Sequence, residues 1–298
     1  MNGLVQWTAL ALHIAAMFFG LAGLLLVLPN PEFVGSLSSL GMQIFSWGMS
    51  AGGAVYMILA AIATVIYGVR SLGWAKLLSF MVPAVGLSLG SELLGTSTGF
   101  PFGDYGYLTG LGYKVAGLVP FTIPLSWFYM GFACWLVAMS AIKPGKNWFL
   151  RLEAIATAAM MLTAWDFVLD PAMSQSAYPF WYYPDANLNP LGLFFGTPIQ
   201  NFGGWMLTGL VFMLTATLIW GDRPLPRLSV GQLWFPVILY VANFIFGLVL
   251  SLSAEIYAPI FLGILFGIAP LIGLWRLADQ ADSVATNLDA VPLKTLVR

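Results

Sequence analysis

Trp165-Asp166-Phe167-Val168-Leu169-Asp170-Pro171 sets two acids into an apolar surround. The stretch closes a run of about 18 mostly apolar residues, long enough as a helix to span a bilayer. A carboxylate inside such a segment costs roughly 3 kcal/mol on insertion scales. Asp166 and Asp170 stand four apart and share one helix face. Pro171 disfavours helical backbone at Asp170, which predicts that the helix stops there. Asp166 then lies about one turn, roughly 5.4 Å, inside its end. Two readings stand: acids that merely fix loop packing, or ionisable groups kept within a span for function.

The surrounding chain is of membrane type. Of 298 residues, 60% are apolar and 8% charged, against about 25% charged in soluble domains. The net charge of −1 gives no reason to expect nucleic acid as a partner. One cysteine, Cys134, offers no internal disulfide and no redox or metal motif. One histidine, His13, cannot supply the histidine clusters of membrane di-iron oxygenases. There is no phosphate-loop or dinucleotide fingerprint. Aspartate-rich motifs for Mg²⁺–diphosphate are missing too, so neither a cofactor nor a metal is expected.

Eight apolar segments follow from hydropathy: Trp7–Leu28, Ile44–Val69, Leu77–Leu94, Leu118–Ile142, Leu152–Asp170, Gly203–Trp220, Leu233–Leu252 and Tyr257–Trp275. The first has no basic residue before it and reads as a spanning helix, not a cleaved signal peptide. The fold class is therefore an all-α, polytopic helical bundle. It forms one membrane domain over 1–298, in which 276–298 is a loose polar tail. With eight crossings, Arg70, Lys76, Lys143, Lys146, Arg151, Arg223, Arg227, Arg276, Lys294 and Arg298 fall on the N-terminal side, and Lys114 opposite. The positive-inside rule makes both termini cytoplasmic.

The long loops Gly95–Gly117 and Pro171–Phe202 then share the outer side with Glu32, Glu92, Asp104, Asp166, Asp170, Asp185 and Glu255. Both are rich in Gly, Pro and aromatic residues, which argues for packed loops of functional value. A loose echo links them. Glu92 ends one segment and Asp166/Asp170 another; Pro120…Trp127 and Pro198…Trp205 follow at equal spacing. A helix-pair repeat explains this, and so does chance, given 18 prolines and 12 tryptophans.

Candidate chemistry gathers on that side. The acids lie at the C-terminal ends of outward-running helices, near a negative dipole and near one another. Such a site is suited to holding a proton, as a general acid. Glu92 either serves it or caps loop amides; Asp104, between Gly103 and Gly106, either serves it or forms an Asx-turn. Asn201 with Gln200 either positions a water or caps the next helix. Tyr105, Trp127, Trp165, Phe167, Trp181, Tyr182, Tyr183 and Trp205 fit an interfacial belt. A pocket for a polyene or a carbocation needs the same residue types, although composition leans to the belt. Asn243 and Glu255 are weaker candidates.

Three motifs in order resemble the bacterial and archaeal family of membrane carotenoid biosynthesis proteins, over about residues 40–275. They are Glu92-Leu-Leu-Gly-Thr with Gly99-Phe-Pro-Phe-Gly-Asp-Tyr, Trp165-Asp166 with Asp170-Pro171, and Gly196-Thr-Pro with Asn201-Phe-Gly-Gly-Trp205. The family includes CruF-type carotenoid 1′,2′-hydratases: γ-carotene 1′-hydroxylases of cyanobacteria and bisanhydrobacterioruberin hydratases of haloarchaea. The wording is most similar to the cyanobacterial branch, with its myxoxanthophyll-type pathway. The resemblance implies addition of water across the C1′=C2′ bond of an acyclic ψ-end group, without a cofactor, in a bacterial plasma or thylakoid membrane. A glycosyltransferase acting on the product is the partner it suggests.

The residue reading agrees with that chemistry. Protonating the trisubstituted alkene gives a tertiary cation. Asp166 is placed as donor, Asp170 or Glu92 as its tuner, and Asp104 or Asn201 as holder of the water. Tyr105, Trp127, Trp165, Phe167 and Trp205 are placed around the substrate. A non-catalytic carotenoid- or lipid-binding protein and a cation-type carotenoid cyclase remain alternatives.

Overall fold

A computed structural model describes residues 3–176, 178–184, 192–223 and 228–289. Asp185, Arg227, Lys294 and Arg298 lie outside the described residues. Helix α1 (Gly3–Ala22) runs into a π turn (Gly23–Val27), and a short α2 (Pro31–Ser36) follows. Then come α3 (Ser39–Leu72), α4 (Trp74–Thr98), α5 (Thr122–Ile142), α6 (Trp148–Ser174), α7 (Ile199–Trp220) and α8 (Val230–Ser253). Helix α9 (Tyr257–Gly263) continues through a second π turn (Ile264–Ile268) into α10 (Ala269–Asp289). Among the described residues, eight helical stretches are long and apolar enough to cross a membrane, the last being Tyr257–Gln280. The protein is a polytopic all-α membrane protein.

Local signals explain the helix starts. Ser38 accepts from Gly41 N at the head of α3, and Asn147 accepts from Phe149 N and Leu150 N at α6. Ser229 and Gln232 form a reciprocal capping box at α8. Two expectations fail. Helix α6 does not stop at Asp170; it runs through Pro171 to Ser174. Proline forfeits one helix hydrogen bond, but Pro171, Ala172 and Met173 are buried in the bundle. The Pro171 carbonyl also accepts from Gln175 Nε2 at 2.9 Å. Burial and this end bond hold the extra turn, so Asp166 lies about two turns inside the helix end. The polar tail begins as helix, since α10 extends to Asp289.

Contacts at one face tie together the groups that charge sorting put there. Arg70 donates to Gln6 Oε1 at 2.7 Å, joining the end of α3 to the start of α1. Lys76 lies 5.3 Å from the Trp220 ring centre, joining α4 to the end of α7. Arg151 pairs with Asp222 at 3.2 Å. At the opposite face lie the two long loops, each stiffened by two-residue strands. β1 (Gly106–Tyr107) pairs with β4 (Trp181–Tyr182) across the loops. β2 (Lys114–Val115) forms a hairpin with β3 (Val119–Pro120), and β5 (Leu193–Phe194) with β6 (Thr197–Pro198).

The sequence echo is a repeat. Pro101/Pro179, Phe102/Phe180, Tyr105/Tyr183, Pro120/Pro198 and Trp127/Trp205 are all separated in the chain as Glu92 is from Asp170. Each half reads helix, loop, hairpin, helix. Helix α4 packs on α7 as α6 packs on α5. Equivalent residues touch: Trp127 stacks on Trp205 at 3.9 Å, and the Tyr105 and Tyr183 rings lie 6.4 Å apart. The β1–β4 register, Gly106↔Tyr182 and Tyr107↔Trp181, extended by one step sets Tyr105 opposite Tyr183. Contacts between a residue and its own equivalent mark a twofold relation. Here it relates the α4–α5 pair to the α6–α7 pair about an axis along the helices.

Topology can be checked with cysteines at Asp104 and Lys146, both exposed, because the native Cys134 is buried and silent. A membrane-impermeant maleimide should label the two from opposite sides of sealed, oriented vesicles. Labelling of both from one side would contradict the eight-crossing order.

Candidate active site

The two loops meet over α4, α6 and α7 and close a chamber of about 50 Å³. Glu92, Asp166 and Asp170 all line it and are 2–3% exposed. A buried carboxyl must find hydrogen-bond donors or destabilise the fold. Each of these three finds them, in unequal number.

Glu92 lies inside α4 and is saturated. Its Oε2 accepts from the Tyr105 hydroxyl and from the Tyr107 hydroxyl at 2.8 Å. Its Oε1 accepts from Trp127 Nε1 at 2.9 Å. Asp170 is held in a similar way in the other half, with Tyr183 standing where Tyr105 serves Glu92 and its other donors not equivalent. Its Oδ1 accepts from Trp181 Nε1; its Oδ2 accepts from the Tyr183 hydroxyl at 2.5 Å and from Asn201 Nδ2 at 2.9 Å. Asp166 differs. Its Oδ2 accepts from the same Asn201 amide at 2.9 Å, and Oδ1 accepts nothing from the described residues. The repeat explains the difference, because the positions equivalent to Asp166 and Asn201 are Ser88 and Ile123. The symmetric scaffold carries Glu92 and Asp170; Asp166 and Asn201 are additions to one half.

The loop phenols are fixed in their neutral form. Burial, and then the neighbouring Glu92, hold the Tyr105 and Tyr107 hydroxyls far above the usual phenol range. Burial and then Asp170 do the same for Tyr183. These groups therefore donate protons into their hydrogen bonds without ionising. The one lysine assigned to this side, Lys114, donates to the Tyr107 carbonyl at 2.5 Å and does not line the chamber.

The sequence candidates divide. Glu92, Asp166, Asp170, Tyr105, Trp165, Asn201 and Trp205 come together around the chamber. Trp127 stands behind, bonded to Glu92 and stacked on Trp205. Asp104 is exposed and outside the chamber. It packs under the turn that ends α4, where a β-carbon on Gly99 (φ 74°) would meet its Oδ1 at 2.7 Å. Phe167 points away, onto Phe202 at 4.6 Å. Asn201 is not a helix cap: Pro198 holds that position, and Asn201 turns its amide onto the acids from within the first turn. Gln200 donates to the Gly99 carbonyl at 3.3 Å. Glu255 is exposed in a left-handed turn (φ 58°).

Other residues matter here that sequence reasoning gave no such role. Trp181 and Tyr183, read only as belt or pocket aromatics, and Tyr107 are carboxyl donors, and Tyr56, Phe102 and Phe180 are wall. The spacing Tyr105-x-Tyr107 and Trp181-x-Tyr183 was the available signal, since a strand puts such pairs on one face. Asn243 acts at one remove. Its carbonyl accepts from Trp165 Nε1 at 3.2 Å. His13 Nδ1 donates to the Tyr56 carbonyl at 2.7 Å, which leaves Nε2 to accept from Asn243 at 3.1 Å. Among the described residues, no three His, Cys, Asp or Glu side chains converge as a metal site.

Fold and chamber define a multi-pass membrane protein with three buried carboxyl groups in an aromatic-walled chamber. Residues 52–270 match the family described as carotenoid biosynthesis protein, and the chain belongs to that family. A relative from Haloarcula japonica, named bisanhydrobacterioruberin hydratase, is 30% identical over 182 residues. The match spans 56% of this chain and 58% of the relative. No solved structure matches.

The saturation of Glu92 gives a stability test. Glu92→Ala strands three buried donors, at about 1–3 kcal/mol each, so thermal unfolding in detergent should occur markedly earlier. Glu92→Gln, which keeps shape and acceptor oxygen, should lose far less. Equal melting of the two variants would contradict the assignment.

Proposed function

We propose that this protein is a carotenoid hydratase. It adds water across the C1′=C2′ bond of a ψ-end group on a γ-carotene- or lycopene-like substrate, giving a 1′-hydroxy carotenoid. The observation that carries the reading is the Oδ1 of Asp166, which accepts from none of the described residues, in a chamber walled by aromatic rings. The relative's name supports the reaction class.

Asp166, as the carboxylic acid, gives its proton to C2′. The π electrons of the double bond form the new C–H bond and leave a tertiary cation at C1′. The faces of Trp165 and Trp205 stabilise that charge, as aromatic quadrupoles do. A water oxygen bonds to C1′ and loses one proton to the carboxylate pair of Asp166 and Asp170, which the Asn201 amide holds together. The acid is restored, and the net change is addition of H and OH. Glu92 keeps the loop tyrosines in place. The tertiary alcohol is a suitable acceptor for a carotenoid glycosyltransferase.

A cyclase would need the same proton and cation but would take up no oxygen, and a binding protein would do no chemistry. In a host accumulating lycopene or γ-carotene without air, H₂¹⁸O should place one labelled oxygen at each reacted end. Asp166→Asn should lose turnover by roughly 10²–10⁴-fold, the usual contribution of a positioned acid, while still retaining pigment. Oxygen drawn from O₂, or no oxygen gained, would overturn the hydratase reading.

A further inference from the structure

The chamber, at about 50 Å³, has room for a few waters or the end of a hydrocarbon, and a polyene substrate must lie mostly outside it. A second cavity, of about 270 Å³, lies between α1 and α3. It shares Tyr56 and Phe180 with the acid chamber. We propose that this cleft holds the apolar chain of the substrate, whose reactive end passes between Tyr56 and Phe180 to reach Asp166. The proposal rests on the function proposed above and adds to it where the body of the molecule lies.

The cleft is made by side chains left out. Gly20 and Gly23 on the α1 side and Gly52 on α3 line it, and a β-carbon at any of the three meets nothing within 4 Å. The next residue, Gly53, also lines the cleft but serves a close contact: a β-carbon there would meet the Gly110 carbonyl oxygen at 2.8 Å. So Gly20, Gly23 and Gly52 hold space open at a cost in helix propensity. On α3 the cleft runs from Gly41 to Tyr56, roughly 22 Å at about 1.5 Å per residue. That suits a long extended ligand and exceeds what a small solute would use.

Both ends of the cleft fit the occupant. Phe19, Ile44 and Met49 at its rim are exposed on the flank of spanning helices, where the bilayer lies. A hydrophobic molecule can therefore enter sideways from lipid. At the inner end, Phe180 is held by its carbonyl, which accepts from Leu108 N at 2.8 Å. Tyr56 is held through its carbonyl by His13. These two residues line both the apolar cleft and the acid chamber, and they mark where the end group crosses from one to the other.

The test uses purified full-length protein in the Asp166→Asn background, with lycopene as the long probe. Gly52→Leu and Gly23→Leu place methyl groups in the open space. Blocking burial of two methylene groups, at about 0.8 kcal/mol each, should weaken lycopene retention about tenfold or more. In the otherwise native protein, the same variants should leave hydration of citronellol, a short molecule with the same terminal alkene, unchanged. For a version independent of folding, Gly52→Cys is purified and treated with N-ethylmaleimide. Bound lycopene should slow its modification. Unchanged lycopene retention in both leucine variants, loss of lycopene and citronellol turnover together, or unprotected Gly52→Cys would each overturn the cleft. If retention falls as stated but the native protein hydrates neither probe, the cleft stands and the hydratase reading fails.

Discussion

Three carboxyl groups are buried in two spans, and each needs hydrogen-bond donors that lipid cannot give. That need organises the half of the molecule that carries the long loops. Tyr105 and Tyr107 are drawn down onto Glu92, and Trp181 and Tyr183 onto Asp170. Once those side chains are fixed, their strands pair with each other, and two long loops become one lid. The penalty for an unpaired buried charge is several kcal/mol, larger than any single apolar contact in the lid. The loops are therefore anchored from below.

The twofold relation separates a shared frame from what is added to one half. Equivalent acids, tyrosines, prolines and tryptophans recur in both halves and build a symmetric frame. Asp166 and Asn201 replace what are Ser88 and Ile123 in the other half. One amide then bridges two carboxyls on neighbouring turns, and one carboxyl oxygen accepts from none of the described residues. A symmetric frame with a local break makes the two halves of the chamber unlike, and the apolar cleft shares Tyr56 and Phe180 with it.

Much of the fold was legible. Eight hydropathic segments predicted the eight spans, because burial in lipid demands long apolar helices whatever their packing. The sorting of basic residues matched the contacts of Arg70, Lys76 and Arg151 at one face. Asp166 and Asp170 were legible as a pair because four residues is a helical neighbour distance. The end of α6 was misjudged because a local proline rule ignored tertiary burial beyond Asp170. Asp104 and Phe167 were misplaced in the site because loop direction and helix rotation are set by packing, which no short window encodes. The repeat showed only as two proline–tryptophan pairs, since most positions between them differ and only the contacts reveal the equivalence.

The central claim is that Asp166 delivers a proton to carbon. The most direct measurement is turnover in D₂O with the product examined for the position of label. The account predicts one deuterium on the carbon beside the new carbinol, absent in Asp166→Asn and recovered in part in Asp166→Glu. A hydroxylated product with no deuterium on that carbon, or full turnover by Asp166→Asn, would contradict it.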